Sequence, residues 1–194
     1  MKDKLHVCCG EVYLEGYHNI DAPIKGYSFL ASARPDLVKE NLASKEKYYK
    51  YPFGERPVRL CVADELVDIL KKDYPANYFK EILMVSAFEH FSMHEARALL
   101  KKFFSWLAGG GVLLLDVPEI EASFESMKGD RSEDNLAWNI RLIYGSQKNP
   151  YSFHKWGYTR ETLEQEFKAA GFKKIEFMQV VPHSYPMIGA RAEK

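Results

Sequence analysis

Short apolar runs alternate with helical periods along most of this chain. Residues 5–8 form an apolar run too short for a helix, residues 18–21 read as a second strand, and residues 58–63 as a third that ends at Asp64. Between the second and third, Leu37, Val38 and Leu42 share one face of a helix that begins near Pro35, and a loop through Tyr48, Tyr49 and Tyr51 follows it. Asp64 is placed to cap a further helix holding Leu66, Val67, Ile69 and Leu70, until Pro75 interrupts. Residues 81–86 read as a buried strand, and Ser92 with Glu95 forms a capping box. The helix it opens carries Ala96, Leu99, Leu100, Phe103, Phe104 and Leu107 on one face.

Gly109-Gly110-Gly111 then stops that helix and turns the chain into a strand at 112–117, closed by Pro118. Strand, helix, glycine turn and strand make a crossover unit, so both strands should be parallel and central. From 119 to 158 the pattern loosens into a polar, aromatic insertion with a helix across 135–143. Thr159 caps a late helix carrying Leu163, Phe167 and Ala170, stopped by Gly171, and residues 174–181 and 187–192 are a closing antiparallel strand pair around Pro182 and Pro186. The expectation is a single α/β domain over 1–194: a Rossmann-like three-layer sandwich on a mostly parallel, twisted seven-stranded sheet.

Composition narrows the classes without naming one. The 27 basic and 27 acidic residues cancel, so no whole-chain field favours nucleic acid or an anionic membrane. Lysines gather at Lys45, Lys47 and Lys50, but Glu46 lies among them, as on a solvated helix face. No apolar run approaches the roughly twenty residues of a membrane span, and the start lacks the apolar stretch of a signal peptide. Cys8, Cys9 and Cys61 are odd in number and wrongly spaced for a zinc knuckle or a disulfide framework. A cytoplasmic protein with reduced cysteines and no bound metal is expected.

Candidate chemistry begins at Val7-Cys8-Cys9-Gly10, followed by Asn19-Ile20-Asp21. An apolar run turning at a glycine, then a second run closed by an acid, is how α/β domains grip an adenosine-type cofactor: the glycine admits the ligand to the backbone and the acid accepts from ribose hydroxyls. No G-x-G-x-x-G is present, and the acid arrives well before the roughly twenty residues of a dinucleotide fingerprint. Asp21 serves equally as the end of a strand, and Asp64 as a helix cap.

These segments, with Asp64, Ser86-Ala87-Phe88-Glu89-His90, the triple glycine and Ala170-Gly171-Phe172, stand in an order that resembles class I S-adenosylmethionine-dependent methyltransferases, most of all the small type 11 group. The resemblance spans nearly the whole chain. It implies S-adenosylmethionine as cofactor, with Cys8, Cys9 and Gly10 at its methionine end, Asp21 on the ribose, and Ala63, Asp64 and Glu65 near the adenine amino group. Ser86, Ala87, Phe88 and His90 would line the crevice at the carboxyl end of the central strand. Two departures stand out: Cys8 occupies a position where glycine is common in the family, and residues 11–17 leave room for a turn in place of a helix. Glu11, Val12 and Tyr13 would then take over contacts that a helix N-terminus normally makes.

The sulfonium carbon is already electrophilic, so alignment and water exclusion supply most of the rate and a base is optional. For a hydroxyl acceptor His154 is the first candidate base, at the end of the insertion expected to cover the acceptor, and His90 is the second. The rings and hydroxyls of Tyr144, Tyr151, Trp156 and Tyr158 suit a small polar or sugar-like acceptor better than a nucleic acid. A non-catalytic module binding S-adenosylmethionine or a nucleotide is the alternative. A nicotinamide or sugar-nucleotide oxidoreductase is disfavoured, because the phosphate-binding glycines are missing. Oligomeric state is left open, as monomer or homodimer.

Overall fold

A computed structural model describes residues 2–48, 60–183 and 185–194. Tyr49, Lys50, Tyr51, Val58 and Arg59, and the side chains of Lys45, Lys47 and Tyr48, lie outside the described residues. In chain order the elements are β1 (Lys4–Val7), β2 (His18–Asp21), β3 (Ser28–Leu30), α1 (Pro35–Tyr48), β4 (Cys61–Ala63), β5 (Glu65–Leu66), β6 (Phe79–Val85), a 3-10 turn (Phe88–His90), α2 (Met93–Trp106), β7 (Leu107–Pro118), α3 (Ile120–Gly129), α4 (Glu133–Tyr144), α5 (Arg160–Ala170), β8 (Lys174–Phe177) and β9 (Met187–Glu193). Seven strands form one sheet in the order β5-β2-β1-β6-β7-β9-β8. Neighbours run parallel except β9, which is antiparallel to both β7 and β8. This is the Rossmann-like sheet expected, with its closing antiparallel pair.

The strongest local signals produce the best-defined elements. Ser92 accepts from the Glu95 amide while Glu95 accepts from the Ser92 amide, so the capping box forms as its spacing dictates. The apolar face of α2, Ala96, Leu99, Leu100 and Phe103, then packs into one core with Leu5, Val7, Ile82, Met84, Leu113 and Leu115 of the central strands. Leu163 and Phe167 of α5 join the same core. Gly171 closes α5 in the left-handed conformation at φ 111°, where a side chain would be strained.

The triple glycine turns the chain inside β7. Phe79 pairs with Leu107 but Glu81 with Val112, so residues 108–111 loop out of the ladder. A Cβ on Gly111 would lie 2.9 Å from both the Ala108 and Phe79 carbonyl oxygens, which explains the glycine.

Three expectations need correction. The third strand, β4, leaves the main sheet and pairs in parallel with β3, a three-residue strand not anticipated. The edge of the main sheet is supplied by β5, in the segment expected to be a helix. Residues 66–70 are not helical because Glu65 and Leu66 pair with Ile20 and Asp21, and the Val67 amide donates to the Asp21 carbonyl. Asp64 caps nothing; it accepts from the Asn19 amide at 2.8 Å and the Tyr13 hydroxyl at 2.7 Å. The insertion contains two helices where one was expected. These two helices, α3 and α4, pack on each other, and Asn135 Nδ2 donates to the Ser126 carbonyl at 3.0 Å across their junction. Among the described residues no helix is long and apolar enough to cross a membrane.

His6, 3 % exposed in β1, titrates as part of this fold. Burial pushes its pKa down to about 4, against a weaker opposing hydrogen bond that its Nδ1 donates to Asn19 Oδ1. The folded chain therefore refuses a proton that the unfolded chain accepts, so stability is lost as pH falls from about 6.5 through about 4. Urea unfolding at pH 7 and pH 5 should show a loss of roughly 2 kcal/mol from this group. In His6→Gln that share of the loss should vanish; an unchanged difference between the two pH values would contradict the assignment.

Candidate functional site

The chain leaves β1 toward one side of the sheet and returns in β6 on the other, so the two adjacent strands flank the point where strand order reverses. Ligands of open α/β sheets bind beyond the carboxyl ends of such strands. Here both strand ends are unusual. Cys8, after β1, has φ 53°, and Ser86, after β6, has φ 48°. Two side-chain-bearing residues in the left-handed region, side by side, mark backbone held in shape by its surroundings.

A cavity of about 620 Å³ opens at this point. Cys8, Gly10, Asp21, Ser86, Ala87 and His90 from the expected set all lie in its wall. Val67 to Lys71, Asn149 to Ser152 and Lys155 line it as well. The expected residues meet here because β1, β2 and β6 are neighbours, although the sequence separates them by more than sixty positions.

Asp21 is the best-organised group in the cavity. Its Oδ2 accepts from the Gly10 amide and its Oδ1 from the Ala22 amide, both at 2.6 Å. Burial pushes its pKa up, while those two amides pull it down. Each oxygen keeps a second lone pair, so the carboxylate is aimed and still able to accept from a diol. Burial, reinforced by the nearby Asp21 charge, pushes the Cys8 thiol well above its usual range, which keeps it a neutral wall.

The shortened loop after β1 is shaped by two asparagines that sequence reasoning missed. Asn41 of α1 accepts from the Tyr13 amide at 2.9 Å and donates to the Glu11 carbonyl at 2.8 Å. Asn19 accepts from the Leu14 amide and donates to the Leu14 carbonyl, both at 2.9 Å. Together they hold residues 11–14 in place where a helix would otherwise do so.

Seven expected site residues lie outside this cavity. Cys9 is buried with Cys61 and Ala63 in a small cluster. Tyr13 and Asp64 bond each other, and Glu65 accepts from Lys72 at 2.5 Å and from Tyr74 at 2.8 Å. Phe88 is fully buried and stacked on Tyr158, ring centroids 5.4 Å apart. His154 packs edge to face on His90, ring centroids 4.7 Å apart, its Nδ1 donating to the Leu142 carbonyl at 2.7 Å. It is not among the residues lining the cavity, and burial pushes its pKa down to about 4. Of the aromatic residues in the insertion, Tyr151 alone lines the cavity among those expected at the acceptor. Asp68 and Ile69 are cavity residues that the helical reading of 66–70 concealed.

A second cavity of about 300 Å³ lies over β7, β9 and β8, where His183 Nε2 is 3.1 Å from the buried Asp116 carboxylate.

Comparison with known proteins agrees with this fold. A family model described as a methyltransferase domain matches residues 21–176. No curated protein matches the sequence. Among solved structures, the chain is similar to an S-adenosylmethionine-dependent methyltransferase from Archaeoglobus fulgidus, with TM-score 0.56 and 15 % identity, covering 100 % of this chain and 86 % of that one. It is also similar to the S-adenosylmethionine-dependent methyltransferase SibL, with TM-score 0.56 and 13 % identity over 100 % of this chain and 50 % of that one. Human N-acetylserotonin methyltransferase gives TM-score 0.53 and 11 % identity over 98 % of this chain and 47 % of that one. Likeness at this identity establishes the fold. The chain spans 50–61 % of the length of the first four solved structures it matches.

Proposed function

Because the chain belongs to the methyltransferase-domain family, we propose that it transfers a methyl group from S-adenosylmethionine to a small polar acceptor by in-line displacement. The observation that carries the reading is Asp21, a carboxylate aimed by two backbone amides into the cavity at the point of strand reversal. In this reading its oxygens accept from the ribose hydroxyls. The methionine end lies along Cys8 and Gly10, where the left-handed backbone brings main chain to the ligand. Adenine lies against Val67, Asp68 and Ile69, since Asp64 and Glu65 are engaged elsewhere.

The acceptor then enters between Ser86, His90, Tyr151 and Lys155. The wall there mixes one ring hydroxyl, one imidazole and one ammonium, which suits a small polar molecule. The balanced charge of the chain argues against a nucleic acid. Rate comes from aligning the acceptor with the methyl carbon and shedding water. Three free cysteines fit work in the cytoplasm.

Calorimetric titration with S-adenosylmethionine, S-adenosylhomocysteine and NAD tests the reading. Both sulfur ligands should bind one per chain, and NAD should give no heat of binding. Binding of NAD alone would sink it.

A further inference from the structure

We propose that Glu89, His90 and His154 form a binding site for one divalent transition-metal cation of the Zn²⁺ kind, beside the acceptor end of the main cavity. Glu89 and His90 come from the 3-10 turn after β6, and His154 returns from the chain after α4. One donor atom from each lies within 4.8 Å of the other two. Donors around a tetrahedral ion at zinc–nitrogen distances are about 3.3 Å apart, so modest side-chain rotation closes the set. The His154 Nε2 to Glu89 Oε1 separation is 3.8 Å, too long for a hydrogen bond and near the spacing that two ligands need.

The protonation of both rings follows from their partners. His90 Nδ1 lies 3.0 Å from the Phe153 carbonyl and His154 Nδ1 lies 2.7 Å from the Leu142 carbonyl. A carbonyl only accepts, so both Nδ1 atoms carry the hydrogen and both Nε2 atoms present a lone pair. Metal-bound histidines are held in this way, with the far nitrogen donating to a carbonyl that fixes the ring.

Glu89 supplies the independent sign that something is to be held. It is 3 % exposed, and its Oε2 has no hydrogen-bond partner. A buried carboxyl oxygen left alone is costly, and such groups in proteins are paired or coordinate metals. A void of about 10 Å³ touches both Glu89 and His154, close to the volume of one probe sphere.

Two imidazoles and one carboxylate favour zinc and its neighbours over magnesium, which prefers oxygen. Three protein ligands leave a position open, as in catalytic zinc sites. His90 also lines the main cavity, so an acceptor oxygen or nitrogen would meet that position. This last role rests on the methyl-transfer reading; the binding site does not. The proposal departs from the metal-free protein expected from the sequence, whose cysteine spacing gave no hint of a Glu-His pair joined by a distant histidine.

The test uses the full chain stripped with a chelator and titrated with Zn²⁺ against a colorimetric competitor, alongside Co²⁺ absorption. One site per chain is expected, and Glu89→Gln and His154→Gln should each weaken it at least tenfold. Should Glu89→Gln fail to fold, His154→Gln carries the test. The Co²⁺ spectrum should lack thiolate charge transfer, which separates this site from Cys9, Asp21 and Cys61, the other group of potential ligands among the described residues. A flat titration, equal affinity in a folded variant, or a thiolate band would overturn the proposal. S-adenosylmethionine binding, measured on the same sample, reports separately on the methyl-transfer reading.

Discussion

Asp21→Ala is expected to weaken S-adenosylmethionine binding by about 1–3 kcal/mol, on the order of 5- to 150-fold. Two charge-assisted hydrogen bonds to the ribose disappear together. The Gly10 and Ala22 amides also lose the acceptor that now takes both at 2.6 Å, so the loop that faces the methionine end loses its anchor. Asp21→Asn retains one carbonyl oxygen and should fall between the variant and the parent. Calorimetry gives the affinity, and a melting curve shows whether the fold survives. Equal affinity in a folded Asp21→Ala protein would remove the carboxylate from the cofactor site.

The largest effect on stability is expected at Phe88. Its ring is completely buried, stacked on Tyr158 and continuous with the central core. Truncation to alanine should cost about 3–5 kcal/mol, through lost transfer energy and the cavity left behind. The 3-10 turn that carries Glu89 and His90 begins at this residue. Urea denaturation should show a lower midpoint with the slope unchanged. A loss under about 1 kcal/mol, accompanied by weaker cofactor binding, would instead make Phe88 a shelf for the ligand.

Much of the fold is legible in the sequence where several local preferences agree. In α2 the capping box, the apolar face and the glycines beyond it all point the same way, and the neighbouring strands follow. The segment 66–70 shows the opposite. Leu66, Val67, Ile69 and Leu70 have helical spacing, yet pairing with β2 wins because Glu65 and Leu66 take up the backbone groups on its outer side. That one misreading displaced part of the site, since it made Asp64 a cap and left Asp68 unseen. β3 escaped notice because three residues carry no readable period.

At the site, residues fixed by strand ends were readable and those fixed by long-range bonds were not. Cys8, Gly10, Asp21 and Ser86 reach the cavity because topology puts them there. Asn19 and Asn41 shape the first loop through contacts spanning 5 to 30 residues, which no local pattern announces. His154 lies in the insertion as expected, but its ring approaches Glu89 and does not line the cavity. A sequence shows that a histidine is nearby; only packing shows which way it faces.

The central claim is that the cavity beyond β1 and β6 holds the cofactor through Asp21. A crystal structure of the protein with S-adenosylhomocysteine tests it most directly. The account predicts both ribose hydroxyls within hydrogen-bond distance of the Asp21 carboxylate, with the homocysteine moiety along Cys8, Gly10 and Ser86. Ligand density elsewhere, such as in the second cavity beside Asp116 and His183, with the Asp21 cavity free of it, would contradict the account.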